Sequence, residues 1–233
     1  MKPHRPIGGR ELKQMVAALL VADDFPASLD AIRHLPARQV VNPLFAFFCN
    51  ADALRRWRAV TAMGRVVSRL ADENMESARV VMRRFMWNLN EESGGIGWGC
   101  PEAMGECLAR SQELADEYGC ILISYLHPGR NFIEHPALQE GVLWGFARLA
   151  HARPAMTAGC GEILSPFLAS AETAARGLAA WACMPVEDVR LMPRLESLIK
   201  DRASFMLYRE DRLESCTVGE LAEDALRRIR EVT

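Results

Sequence analysis

The residues with most chemical content stand together in Asn88-Leu89-Asn90-Glu91-Glu92-Ser93-Gly94-Gly95-Ile96-Gly97-Trp98-Gly99, followed by Cys100-Pro101-Glu102. Two amides and two carboxylates precede four glycines in six residues, with an indole among the glycines. Glycines let a ligand or a neighbouring chain come close to the backbone, and the polar side chains supply hydrogen bonds and charge. The spacing excludes two phosphate-binding motifs. Gly95-Ile96-Gly97-Trp98-Gly99 lacks the G-x-G-x-x-G order and follows a helical pattern where that motif must follow a strand. No Gly-Lys-Ser/Thr follows, so it is not a P-loop. Two readings remain. In one, Asn88, Asn90, Glu91, Glu92 and Trp98, with Glu102 just inside the next helix, form a recognition surface on a rigid scaffold. In the other, the stretch is an elaborate inter-helix turn with Trp98 packed as core.

A second group is His127, Glu134 and His135 in one inter-helix segment, with Glu140 a turn later. A metal would need further ligands from Glu91, Glu92 or Glu102. A surface histidine near a helix start explains His135 without one, so no metal is expected and His135 is kept as a candidate binding residue. Cys100, beside Trp98 and ahead of Pro101, sits where a helix dipole lowers a thiol pKa. A Cys/His pair with His127 or His135 would then be a nucleophile. No third residue orients it, and a buried structural cysteine is the plainer account. The catalytic set is thus unassigned, and no cofactor is expected.

These groups must be held by helices. Ala78, Val81, Met82, Phe85, Met86 and Leu89 follow an i, i+3, i+4 pattern that predicts the surest helix of the chain. Further helices are expected over Glu11 to Ala22, Ala27 to Leu35, Asp52 to Leu70, from Pro101, around Leu114 to Tyr125, from Pro136 to about Leu149, in two stretches between Gly161 and Ala182, and over Glu187 to Lys200. Asn42-Pro43 reads as a cap and first turn opening the apolar Leu44-Phe45-Ala46-Phe47-Phe48. Thr217 and Glu220 form a T-x-x-E capping box for a last helix to about Glu231. Arg209-Glu210-Asp211-Arg212 reads either as the tip of a short hairpin or as an irregular loop.

Four of the helical segments share a feature. A large apolar residue is followed at once by Gly or Ala, in Met63-Gly64, Met104-Gly105, Trp144-Gly145 and Trp181-Ala182, at intervals of 41, 40 and 37 residues. A weaker fifth copy lies at Leu221 to Leu226. About 40 residues is the length of a two-helix repeat, and a small residue at one helical position lets successive helices approach closely. Gly105 and Gly145 are therefore expected to be helix crossings. The fold expected is all-α, an α-α superhelix of the HEAT/ARM-like solenoid type, with any strand structure confined to a C-terminal hairpin or loop at residues 203–217. One domain is expected, with residues 1–50 as a helical cap, 51–202 as repeats, 203–217 as the hairpin or loop and 218–233 as the terminal helix.

Composition narrows the partners. The chain has 233 residues, half of them hydrophobic, with a formal net charge of −2, and nothing in that balance asks for nucleic acid or an anionic membrane. Arg55-Arg56-Arg58, Arg83-Arg84 and Arg227-Arg228-Arg230 each lie on the polar face of a helix beside acids. No window approaches the roughly 20 apolar residues of a membrane span. Met1 to Gly9 lacks the apolar core of a secretory signal. Seven scattered cysteines, none spaced CxxC, suit a reducing compartment, so a cytoplasmic location is expected.

The repeat segments, with Asn90 to Gly99 and Pro101-Glu102-Ala103-Met104-Gly105, resemble bacterial HEAT-like repeat proteins of the phycobilisome-lyase group. The resemblance runs from about Ala51 to Arg228. It implies a helical-repeat scaffold, whose most common use is binding a protein partner along its concave face, here with the glycine-rich loop 88–99. Lyases of that group handle bilin chromophores, so the alternative is a cofactor-handling or lyase-type enzyme with a site around residues 88–102 and 127–140. This chain is short for that activity and offers no residue that carries over as catalytic. HEAT-type proteins that hold iron use repeated His-Glu pairs, whereas Glu134-His135 is single and reversed.

Overall fold

The row of helices that carries the repeat begins with a long element whose break is visible in its dihedral angles. In a computed structural model, which describes residues 8–90 and 97–232, α1 (Gly9–Val21), α2 (Phe25–Arg33) and α3 (Ala37–Phe47) precede α4 (Ala53–Leu89). Asn74, with φ −163° and ψ 96°, interrupts α4. Its Oδ1 accepts from the Ser77 backbone N–H at 2.9 Å and from the Ser77 hydroxyl at 3.0 Å, so it caps the second half as it ends the first. The two helices expected on either side of this region are thus present and meet at a kink at Asn74. Asn42-Pro43 does not open a helix. Pro43 lies inside α3, which starts directly after Pro36, and the apolar run continues a helix already under way.

The chain goes on through α5 (Cys100–Arg110), α6 (Gln112–Ser124), α7 (Pro136–Ala152), the short α8 (Pro154–Thr157), α9 (Gly161–Leu168) and α10 (Thr173–Val186). The helix expected over Glu187 to Lys200 is shorter. Glu187 takes the left-handed conformation that ends α10, a 3-10 turn covers Val189–Leu191, and α11 (Met192–Leu198) begins with Pro193 in its first turn. Strands β1 (Ser204–Arg209) and β2 (Arg212–Thr217) follow, then α12 (Val218–Val232). Helices α4, α5, α7, α10 and α12 pack each against the next, while α6 pairs with α5, α9 with α10 and α11 with α12. This is an α-α superhelix of the HEAT/ARM-like kind with one small sheet. No helix among the described residues is long and apolar enough to cross a membrane.

The small repeat residues are where the row closes up. A Cβ on Gly105 would run into the backbone of Gly145, one on Gly145 would lie 2.5 Å from the Pro101 carbonyl oxygen, and one on Gly64 would collide with the Glu106 side chain. Helices α5 and α7 therefore meet backbone to backbone, which only glycine permits. Beside the crossing, Glu106 is 3% exposed and accepts from Arg110 Nε and Arg148 Nε at 2.6 Å each. A carboxylate taken this far out of water needs such partners.

The hairpin has a two-residue tip, with Arg209 opposite Arg212 and both Glu210 (φ 50°) and Asp211 (φ 61°) at positive φ, as a twisted two-residue turn requires. It folds back over the helix row. Tyr208 stacks on Trp57 of α4 with ring centroids 5.0 Å apart, its hydroxyl pairs with Thr61 Oγ1 at 3.0 Å, and its carbonyl accepts from Trp144 Nε1 of α7 at 2.8 Å. Phe205 fills the space left by Gly177 of α10. The expected capping box then starts α12, with Thr217 N–H donating to Glu220 Oε2 at 2.8 Å and Glu220 N–H to Thr217 Oγ1 at 3.2 Å.

Candidate functional site

The first turns of α4, α5, α7 and α10 open on one cavity of about 560 Å³, walled on its far side by Phe205, Met206 and Leu213 of the hairpin. Repeat stacking places it there, because each helix of the row begins at the same end. Trp57, Trp98 and Trp144 line it along with Phe48 and Phe205, and Trp57 and Trp144 lie 4.7 Å apart between centroids. Its polar groups include Arg56, Glu102 and Glu140.

Gly99 fixes how the glycine stretch delivers Trp98 and Glu102. It has φ 72°, and a Cβ there would sit 2.8 Å from Phe48, so both the conformation and the space call for glycine. The chain turns into α5 at that point, with Trp98 before the turn and Glu102 in the first turn of the helix. The Glu102 carboxyl lies against Gly141 of α7, where a Cβ would be 2.8 Å from either of its oxygens. Oε2 is sealed from solvent and has no hydrogen-bond partner. Burial pushes the Glu102 pKa up to about 7, opposed by its own backbone N–H and the Arg56 charge and helped by Glu140. Glu140 is itself raised by burial and then by Glu172. The cavity thus has in its lining a carboxyl whose pKa burial raises toward neutrality, together with three indole rings.

The residues singled out in the sequence separate here. Trp98 and Glu102 come together on the cavity. His135 stands behind Trp98, edge-on at 5.4 Å between ring centroids. Asn88 is buried and donates to Cys100 Sγ at 3.5 Å. Asn90 is exposed and closes the end of α4, its N–H donating to the Met86 and Trp87 carbonyls. Glu91 and Glu92 lie outside the described residues. Cys100 is buried, and burial raises its thiol to about 12, far from the thiolate that a helix terminus would favour. His127 Nδ1 accepts from Gly129 N–H at 3.1 Å. Among the described residues, no three His, Cys, Asp or Glu side chains gather as metal ligands would.

Sequence reasoning missed Trp57, Trp144 and Arg56 as site residues. A signal existed for one of them, since Trp57 and Trp98 each stand seven residues before the small repeat residue, at Gly64 and Gly105. Equivalent positions in stacked repeats fall side by side.

Trp98 is half-buried, and its replacement measures how much of it is core. Trp98→Ala is expected to cost about 1–2 kcal/mol in urea denaturation, below the ~3–5 kcal/mol of a fully enclosed Trp. A loss in the higher range would make the residue a core plug and remove it from the site.

No protein-family model matches the chain, and no curated protein matches it. Among solved structures, an engineered protein from the Northeast Structural Genomics Consortium superposes with a TM-score of 0.53 at 17% identity, over 95% of this chain and 97% of its own. A designed armadillo repeat protein in complex with the peptide (KR)4 superposes with a TM-score of 0.50 at 17% identity, over 94% of this chain and 99% of its own. An archaeal HEAT-like repeats protein from Thermococcus onnurineus covers 98% of this chain and 82% of its own at 14% identity, with a TM-score of 0.41. At such identities the likeness is one of fold, and the armadillo comparison puts the chain among armadillo-like helical repeats.

Proposed function

We propose that the chain is a non-catalytic helical-repeat scaffold that binds a segment of a protein partner, and that the cavity at the head of its helix row takes a basic side chain of that segment. The observation that carries the reading is Glu102, a carboxyl with one unpartnered oxygen in the lining of a cavity that also holds three indoles. Aromatic faces attract cations, by about 0.5–2 kcal/mol each when water is excluded. A guanidinium or ammonium in the cavity would give the Glu102 carboxylate a charge partner. With Glu102 and Glu140 both ionised, Arg56 balances only one of the two charges, so a second cation restores neutrality. The (KR)4 peptide belongs to the armadillo neighbour, and this reading rests on the cavity rather than on that likeness.

The glycine-rich loop belongs to the same proposal. Glu91 and Glu92 stand between the end of α4 and Trp98 in the sequence, and they add carboxylates for a basic segment to meet. The lyase-type alternative has less support, because Cys100 carries its proton throughout the physiological range.

The test is a calorimetric titration with a short peptide bearing one arginine, against the same peptide with citrulline. The arginine peptide is expected to bind more tightly, and Glu102→Gln to weaken it about tenfold or more. Equal binding of both peptides by the unmodified protein would refute the cation reading.

A further inference from the structure

A second cleft, of about 640 Å³, lies elsewhere on the helix row and is lined by five arginines from four helices. Arg33 comes from α2, Arg65 and Arg69 from α4, Arg110 from α5 and Arg148 from α7. None of them belongs to the arginine clusters visible in the sequence, because folding brings them together.

Their charges are not fully met. Arg110 and Arg148 share the single carboxylate of Glu106. Arg69 spends one N–H on the Leu35 carbonyl at 2.7 Å and aims its buried Nε at Glu73 Oε1, 3.5 Å away. Arg33 and Arg65 are exposed, and neither makes an ion pair with any of the described residues. Asp72 is the one carboxylate in the lining itself. Five guanidinium groups against Asp72, Glu73 and Glu106 leave about two positive charges in excess, in a chain whose formal net charge is −2.

Helix ends account for only part of this. Arg33 and Arg110 lie in the last turns of α2 and α5, where a cation offsets the carbonyl end of the helix dipole. Arg65, Arg69 and Arg148 lie further in and have no such role. Packing does not require a concentration of like charge either, since it raises the energy of the folded state.

We propose that this cleft binds a phosphate monoester, carried by a phosphorylated serine or threonine of a protein segment. Guanidinium forks match the paired oxygens of a phosphate. A phosphate monoester carries about −1.5 to −2 at neutral pH, which fits the excess, whereas a carboxylate would leave half of it uncovered. Arg65 and Arg33 reach the phosphate from solvent. The cleft is independent of the aromatic cavity, so either assignment stands without the other.

The experiment uses the whole chain and a peptide free of basic residues, with and without phosphoserine, followed by calorimetry at fixed ionic strength. Binding is expected only for the phosphorylated form, with inorganic phosphate competing for it. Arg65→Glu is expected to weaken binding at least tenfold with an unchanged circular dichroism spectrum, and Arg33→Gln to weaken it less. Free phosphate binding as tightly as the phosphopeptide would keep the phosphate site and identify its ligand as the free ion. The proposal is overturned if neither ligand binds, if Arg65→Glu and Arg33→Gln both leave binding unchanged, or if single-stranded DNA binds in preference to the phosphopeptide.

Discussion

Replacing Gly145 by Leu is expected to destabilise the protein by about 3 kcal/mol or more, at the upper end of what overpacking costs. The contact leaves no route for relief. A Cβ at this position would stand 2.5 Å from the Pro101 carbonyl oxygen, which is backbone and cannot rotate away. The same crossing brings Gly105 against Gly145, so any side chain there must push α5 and α7 apart. That movement would also loosen the hold of Arg148 on Glu106, which bridges the two helices. Urea denaturation measures the effect. A variant as stable as the parent would mean that the helices do not cross at these glycines.

Tyr208→Ala is expected to cost about 3–5 kcal/mol, the range for removing an enclosed aromatic ring. Tyr208 is 2% exposed and packs face to face with Trp57, so its loss leaves a hole between the hairpin and α4. It also strips Thr61, itself 2% exposed, of its hydroxyl partner. Tyr208→Phe separates the two contributions. It keeps the stack and is expected to lose only about 1 kcal/mol. If Ala and Phe were equally mild, the hairpin would not be anchored to the row through this ring.

The architecture was legible because its main constraints are local or periodic. A glycine required by close helix approach recurs at the repeat interval, so Gly64, Gly105 and Gly145 could be aligned without knowing what they touch. The capping box of α12 and the hairpin tip depend on residues within four positions of one another. Pro43 misled for a local reason too, since Asn followed by Pro favours a helix start, whereas here the proline lies inside α3. The site was less legible because its parts are distant in sequence. Trp57, Glu102 and Trp144 meet only when successive repeats stack, and nothing beside Glu102 in the chain foretells a carboxyl sealed against Gly141. Asn88 looked like a loop amide, yet it lies in the last turn of α4 and turns inward to Cys100. The arginine cleft was hidden more completely, since each arginine taken alone reads as part of a solvated helix face.

The central claim is that Glu102 receives a cation from a partner, and pH tests it most directly. In the free protein the carboxyl keeps its proton up to pH about 7, held there chiefly by burial, while Arg56 favours and Glu140 disfavours its ionised form. A cationic side chain binds the ionised form, so association must expel that proton below pH 7 and need not do so above it. The arginine peptide should be titrated from pH 5.5 to 8 with the parent protein and with Glu102→Gln, a comparison that separates Glu102 from Glu140, itself raised by burial. The account predicts an affinity that climbs about tenfold or more across that range and levels off above pH 7, with the climb abolished by Glu102→Gln. An affinity independent of pH, or a climb that persists in Glu102→Gln, would contradict it.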